Sequence, residues 1–263
     1  MKIAFIGAGN MAQAMISGML QNRLVAPEDI IATAATQKTI DRVSREYGVA
    51  VTLDNQEAAR ADRVVLAVKP ACYASVIQEI REIVTPEQIV ITIAAGKSLA
   101  WVADAFGGQR KIIRTMPNTP ALVGEGITAV CPNENITEQE LADVCKLLEG
   151  FGKAEVIPEN LMDAVIAVSG SSPAYIFLLI EAMADAAVAE GMPRAKAYQF
   201  AAQSVLGSAK MVLETGKHPG ELKDMVCSPA GTTIEAVRVL EEKGFRSSIM
   251  ECMHACAEKS RNM

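Results

Sequence analysis

The chain of 263 residues reads as an α/β domain followed by an all-helical domain. Three observations carry that reading. Short β-branched runs alternate with stretches of helical period as far as Pro158. A glycine-rich turn separates the first such run from the first helical stretch. After Pro158 the strand-like runs stop, and the sequence turns Ala-rich and helical. Strands alternating with helices imply βαβ units and a parallel sheet.

The expected strands are, in order, KIAFIG (2–7), DIIATAA (29–35), VAVTL (49–53), RVVLAVKP (63–70), IVITIAAG (89–96) and KIIRTMP (111–117). Helical periods fill 10–22, 37–47, 71–82 and 98–106 between them. ITAVCP (127–132) and AEVIP (154–158) read as two further strands, joined by a helix over 137–149. Beyond them, helices are expected over 160–168, 173–190, 194–215, 218–226, 230–242 and 245–261. Gly and Pro interrupt this half at the Ser169–Pro173 turn, at Gly191-Met192-Pro193, at Gly216 and at Gly244. The expected domains are 1–158 and 159–263.

Composition removes several function classes. Half the residues are hydrophobic and 21% are charged, as in a soluble globular protein. A net charge of −6 supplies no basic field for a phosphate backbone, so no nucleic-acid partner is expected. The apolar start stops at a glycine turn without a small-residue cleavage pattern, so it is not read as a signal peptide. The longest apolar run, PAYIFLLI at 173–180, ends at Glu181 and is too short to span a bilayer. The six cysteines stand at 72, 131, 145, 227, 252 and 256 without a C-x-x-C pair, so reduced thiols in the cytoplasm are expected. Cys252 and Cys256 share a helix face but His254 does not, and no metal site is expected.

Segment 173–190 is apolar on nearly every face until its acidic residues. Such a helix must be covered on all sides. A second subunit related by two-fold symmetry is the simplest cover, so a homodimer is expected. Cover by the α/β domain is the alternative.

Gly7-Ala8-Gly9-Asn10-Met11-Ala12 follows the first strand and opens the first helix, in the pattern G-x-G-x-x-A. The first glycine allows a tight turn and the second a close backbone approach to a pyrophosphate. The small last residue keeps helix and strand close. The helix N-terminus then offers unpaired N–H groups to phosphate. Together these define a Rossmann-type, doubly wound, dinucleotide-binding domain. An enzyme selecting NAD carries an acid at the end of its second strand. Here that end reads Ala32-Thr33-Ala34-Ala35-Thr36-Gln37-Lys38. The hydroxyls of Thr33 and Thr36, with Ala34 between them and Lys38 behind, suit a 2′-phosphate. NADP(H) is therefore expected, with NAD(H) as a second cofactor. Asn55, just past the third strand, is grouped with them. Ligands of such sheets bind beyond the carboxyl ends of the strands. That selects Ala67, Val68, Lys69 and Pro70, then Ala94, Ala95 and Gly96, then Asn118. Lys69 is equally readable as a solvated lysine, and Asn118 and the SGSSP turn as structural.

Neither histidine is placed as a proton donor. β-Hydroxyacid dehydrogenases, which also pair a nucleotide domain with a helical one, carry a catalytic Lys on the first long interdomain helix. The comparable AVSGSSPAYIFLL has none. The motifs GAGNMA, AVKP (67–70), RTMPNTPALVGEG (114–126), AVSGSSPAYIF (167–177) and ELKDMVCSPAGTTIEAVRVLEEKGFR (221–246) span the chain. In them the sequence resembles the pyrroline-5-carboxylate reductases. The resemblance implies reduction of the cyclic imine 1-pyrroline-5-carboxylate to L-proline, the final step of proline biosynthesis, in homodimers joined through the helical domain. It places a hydroxyl donor at Thr233, and the substrate carboxylate on Ser228 and the N–H groups of Gly231, Thr232 and Thr233. Read without it, Thr232 or Thr233 is an ordinary helix N-cap. Two departures stand out. Relatives commonly have Gly where Ala230 stands, and many carry an Arg near the 2′-phosphate.

Overall fold

The computed structural model describes residues 1–262. Among them, eight strands form one sheet in the order β3-β2-β1-β4-β5-β6-β7-β8. The strands are β1 (Ile3–Ile6), β2 (Ile30–Thr33), β3 (Ala50–Thr52), β4 (Arg63–Leu66), β5 (Ile89–Thr92), β6 (Lys111–Met116), β7 (Gly126–Pro132) and β8 (Gly152–Val156). β1 to β6 run parallel. This is the doubly wound Rossmann-type order, reversing direction at β1 and β4. Every residue of β1, β4 and β5 is buried, as expected of strands covered on both faces.

The helices between strands are α1 (Asn10–Gln21), α2 (Gln37–Tyr47), α3 (Asn55–Ala58), α4 (Tyr73–Ile80), α5 (Leu99–Phe106) and α6 (Glu138–Leu148). One core lies under α1 and α6, centred on Phe5, Met15, Ile16 and Phe151. The other lies under α4 and α5, centred on Tyr73, Ile77, Ile80 and Phe106.

Two expectations need correction. The sheet is not wholly parallel, because β7 runs antiparallel to β6. A parallel return needs a crossover of a dozen or so residues. Only a short turn with a 3-10 segment (Thr119–Val123) links these two strands. The segment 160–168 is not one α-helix either. It divides into α7 (Met162–Val165) and a π-helical turn over Ile166–Gly170.

The remaining helices are α8 (Ser172–Ala189), α9 (Arg194–Thr215), α10 (Pro219–Val226), α11 (Thr232–Glu242) and α12 (Phe245–Arg261). The chain packs as two compact units, residues 1–171 with the end of α12 from 256, and residues 172–255. Within the first unit, Ser260 donates to Asp163 Oδ1 at 2.6 Å and the Cys256 thiol donates to Ser171 Oγ at 3.2 Å.

Within the second unit apolar surface is abundant. Only Ala184 of α8 is buried, while Phe177 and Leu178 are 61% and 67% exposed. Phe200, Leu213 and Met250 on α9 and α12 are also exposed. The helical stretch 159–189 is apolar and long enough, by composition, to cross a membrane, although the apolar run 173–180 alone is not. A helix at the heart of a subunit interface passes the same test. Sedimentation at micromolar concentration is expected to give the mass of two chains or more. A single-chain mass would leave this apolar face in water.

Candidate functional site

The turn between β1 and α1 is determined by crowding. Gly7 has φ of +97°, and a Cβ there would lie 2.8 Å from Val68 Cγ1 and 2.9 Å from the backbone of Ala67. A side chain fits neither the dihedral nor the space. Gly9 differs, since nothing lies within 4 Å of where its Cβ would be. It is the N-cap of α1, and no side chain caps that helix. The first N–H groups of α1 thus face an open, exposed position, which suits a pyrophosphate. Ala8 and Ala12 are buried, Asn10 is exposed and Met11 is half-buried.

Thr33 is at the end of β2 but turns inward. It is 2% exposed. Its hydroxyl accepts the Gly7 N–H at 3.1 Å and donates to Asn55 Oδ1 at 2.7 Å. Asn55 Nδ2 then donates to Glu79 Oε2 at 2.9 Å. Gly7, Thr33 and Asn55 therefore form one chain of hydrogen bonds that holds the glycine turn. The Thr33 hydroxyl is committed to that chain. Gln13 completes the turn from the other side, where its buried Nε2 donates to Ala8 O at 2.7 Å. A polar residue inside an apolar helix face, MAQAMI, is the only sequence mark of that role.

Thr36 caps α2, and its hydroxyl oxygen accepts from Thr39 N and lies 3.0 Å from Thr39 Oγ1. No acid occurs in the first turn of α2. A shallow depression there is lined by Gln37, Lys38, Thr39, Asp41, Arg42 and Arg45. Three of the six are cations. The helical spacing of Lys38, Arg42 and Arg45, at i, i+4 and i+7, is the sequence signal for this group of cations. Ala34 is half-buried next to this end of β2.

The loops beyond β4, β5 and β6 carry the other expected contacts. Ala67, Val68 and Pro70 are half-buried, and Lys69 is exposed. Ala94 is buried, Ala95 is half-buried and Gly96 takes φ of +73°. Asn118 is 8% exposed, and its side-chain amide is engaged at both ends. Oδ1 accepts the Ile127 N–H at 2.9 Å, and Nδ2 donates to Ser169 O at 3.1 Å in the π turn. It ties β6, β7 and that turn together.

In the second unit, residues 228–233 lead into α11. The N-cap is Gly231, and no side chain caps the helix. Thr232 and Thr233 stand at the first two helical positions, so neither is the cap that Thr at a helix start suggests. Gly231 N donates to Ser228 O at 3.0 Å, closing a tight turn. Ala230 is left-handed at φ of +56°, in the place where Gly is the easier residue. A Cβ on Gly231 would fall 2.4 Å from Ser228 Oγ. The one acid in the first turn, Glu235, is paired to Arg238 at 2.7 Å. The end of α11 is left as uncharged N–H groups and hydroxyls.

A Rossmann-type sheet with an open, uncapped glycine turn at the start of α1 defines a domain of the dinucleotide-binding class. Residues 2–96 match the family model "NADP oxidoreductase coenzyme F420-dependent", and residues 159–263 match "Pyrroline-5-carboxylate reductase dimerisation". The pyrroline-5-carboxylate reductase of Escherichia coli K12 is 52% identical over 263 residues, covering 100% of this chain and 98% of that one. That of Methanosarcina acetivorans is 44% identical, covering 100% and 97%. The solved structure of the Coxiella burnetii enzyme superposes with a TM-score of 0.92 at 34% identity, covering 99% of this chain and 97% of that one. The Plasmodium falciparum enzyme, solved with NADP bound, gives 0.91 at 31% identity, covering 99% and 97%. The chain belongs to the pyrroline-5-carboxylate reductase family.

Two substitutions test the turn. Gly7→Ala is expected to abolish NADPH binding in a calorimetric titration. Thr33→Val is expected to weaken NADPH by about tenfold, for two lost hydrogen bonds, with Thr33→Ser restoring it. Wild-type affinity in Thr33→Val would dismiss the hydrogen-bond chain as a support of the turn.

Proposed function

We propose that this chain reduces 1-pyrroline-5-carboxylate to L-proline with NADPH, the last step of proline biosynthesis, as a cytoplasmic homodimer. The observation that carries the chemistry is the uncharged start of α11. Its first N–H groups lack a capping side chain, and its one acid is paired away. A helix N-terminus of that kind holds a carboxylate. In this reading Ser228, Gly231, Thr232 and Thr233 hold the substrate's carboxylate. The cofactor, when bound, supplies the hydride. Gly7 to Ala12 hold its pyrophosphate, and Ala67 to Pro70 with Ala94 to Gly96 flank its nicotinamide half.

An imine nitrogen is more basic than a ketone oxygen, so it takes a proton without a strong acid beside it. The iminium carbon then accepts the hydride, the C=N double bond becomes a single bond, and a secondary amine results. The protein's share is orientation and one hydrogen bond to that nitrogen. Thr233 supplies it. Asn118 acts by holding strands and the π turn. Six free cysteines fit a reducing compartment.

The cofactor's 2′-phosphate is assigned to the start of α2, where the first turn carries no acid and Lys38, Arg42 and Arg45 outnumber the one carboxylate, Asp41, which Gln37 engages. The reading therefore favours NADPH over NADH.

The direct assay is NADPH oxidation with 1-pyrroline-5-carboxylate, beside a six-membered cyclic imine as comparison. Thr233→Ala is expected to lower kcat roughly 100-fold, and Thr233→Ser to keep most of it. Unchanged kcat and KM in Thr233→Ala would remove the donor role. NADPH is expected to bind more tightly than NADH, with a difference that shrinks as salt rises. Tighter binding of NADH in a fluorescence titration would overturn the preference.

A further inference from the structure

Three hydroxyls at the carboxyl ends of β4, β5 and β6 are fully buried, and they form one network. Tyr73, Thr92 and Thr115 are each 0% exposed. The Tyr73 hydroxyl donates to Leu66 O at 2.5 Å. It accepts from Thr92 Oγ1 at 3.1 Å and from Ile93 N at 3.2 Å. Thr92 O in turn accepts the Thr115 hydroxyl at 3.0 Å.

The placement is specific. Leu66 and Thr92 are the last register pair of β4 and β5. Beyond it the β4–β5 ladder stops, and the Ile93 N–H, next in line for Leu66 O, goes instead to the Tyr73 phenol oxygen. The phenol oxygen stands at this fork and gives its own proton to the Leu66 carbonyl, in place of the ladder bond between them. A phenol keeps its proton at neutral pH, and burial pushes that of Tyr73 further up, to about 12. The residues immediately past this fork are Ala67 to Pro70 and Ala94 to Gly96, and Thr115 carries the tie to the strand that leads to Asn118.

We infer that the Tyr73 hydroxyl is a positioning residue that sets the separation of the 67–70 and 94–96 loops, and through it the fit of the nicotinamide half of the cofactor. This rests on the assignment of those loops to the nicotinamide. A phenylalanine keeps the ring in the core but leaves the Leu66 carbonyl and the Ile93 N–H unpaired, in the segment where the loops diverge. The adenosine half is assigned to α2 and the glycine turn, whose hydrogen-bond support comes from Thr33, Asn55 and Gln13 and not from the fork.

The test measures binding of two ligands by calorimetry. They are NADPH and adenosine 2′,5′-bisphosphate, which lacks the nicotinamide half. Tyr73→Phe is expected to weaken NADPH by about fivefold and to leave the bisphosphate unchanged. Thr92→Val, which removes the bridging hydroxyl and keeps the tyrosine, is expected to show the same split at smaller size. Gln88→Leu is the control. It breaks comparable hydrogen bonds, to Ala59 O and Ala61 O, at the opposite end of the same strands. It should change neither affinity. The inference is overturned if Tyr73→Phe binds NADPH like the wild type, or if both ligands weaken together as a general loosening requires. A wild type that binds NADPH but does not turn over 1-pyrroline-5-carboxylate overturns the substrate reading alone, and the two affinities still decide the role of Tyr73. A wild type that binds no NADPH overturns both.

Discussion

The nucleotide half of the molecule depends on the approach of the Gly7 backbone to the end of β4. The nearest atoms to a hypothetical Cβ there include the backbone carbonyl of Ala67, which cannot swing aside as the end of a long side chain can. The turn that aims α1 and the loop that leaves β4 are therefore one packed object. Thr33 and Asn55 extend it, because the Gly7 N–H is received by a hydroxyl that is itself held in place. On the proposed reading, these contacts among small residues locate the cofactor's phosphate and ring relative to each other. This explains why the region needs Gly and Ala at so many positions.

Much of this was legible in the sequence, and for a physical reason. Strands buried on both faces are largely apolar, so β1, β4 and β5 declare themselves as short runs of aliphatic and aromatic residues broken only at an end, by Arg63 and Thr92. The glycine pattern declares the turn, since only Gly accepts the dihedral of residue 7. What was not legible lies in contacts between residues far apart in the chain. A threonine at a strand end looks the same whether it faces a ligand or the core, and Thr33 faces the core. Asn118 carries no mark that its amide spans two strands and a turn. Tyr73 reads as an ordinary apolar helix residue, and only the folded sheet brings its hydroxyl to the fork. The reversal of β7 was readable from the shortness of the segment after Met116, but strand runs alone do not state direction.

The same economy runs through the chemistry. No His or Lys is offered as a proton donor, and the start of α11 presents N–H groups and hydroxyls. Reduction of an imine makes modest demands on acid and base, and heavy demands on alignment. On the proposed reading, the Ser228–Gly231 turn that closes the start of α11 serves that alignment. Ala230 fits this picture. Holding a non-glycine residue in the left-handed region costs about 1 kcal/mol and narrows the conformations open to the loop.

The apolar helical unit admits two physical explanations, a lipid environment or a second protein surface. The distribution of the exposed residues separates them. A membrane span concentrates its apolar surface on one stretch of about twenty residues. Here Phe177 and Leu178 on α8 are joined by Phe200 and Leu213 on α9, Val226 on α10, Leu240 on α11 and Met250 on α12. Several helices share the exposure, and charged pairs such as Arg194–Asp185 and Arg238–Glu242 lie among them. Lipid would have to desolvate those ions, whereas a protein interface places its apolar core inside a polar rim. A surface spread over five helices, on a chain whose C-terminal part matches a dimerisation family, is therefore the counterpart of another copy of itself.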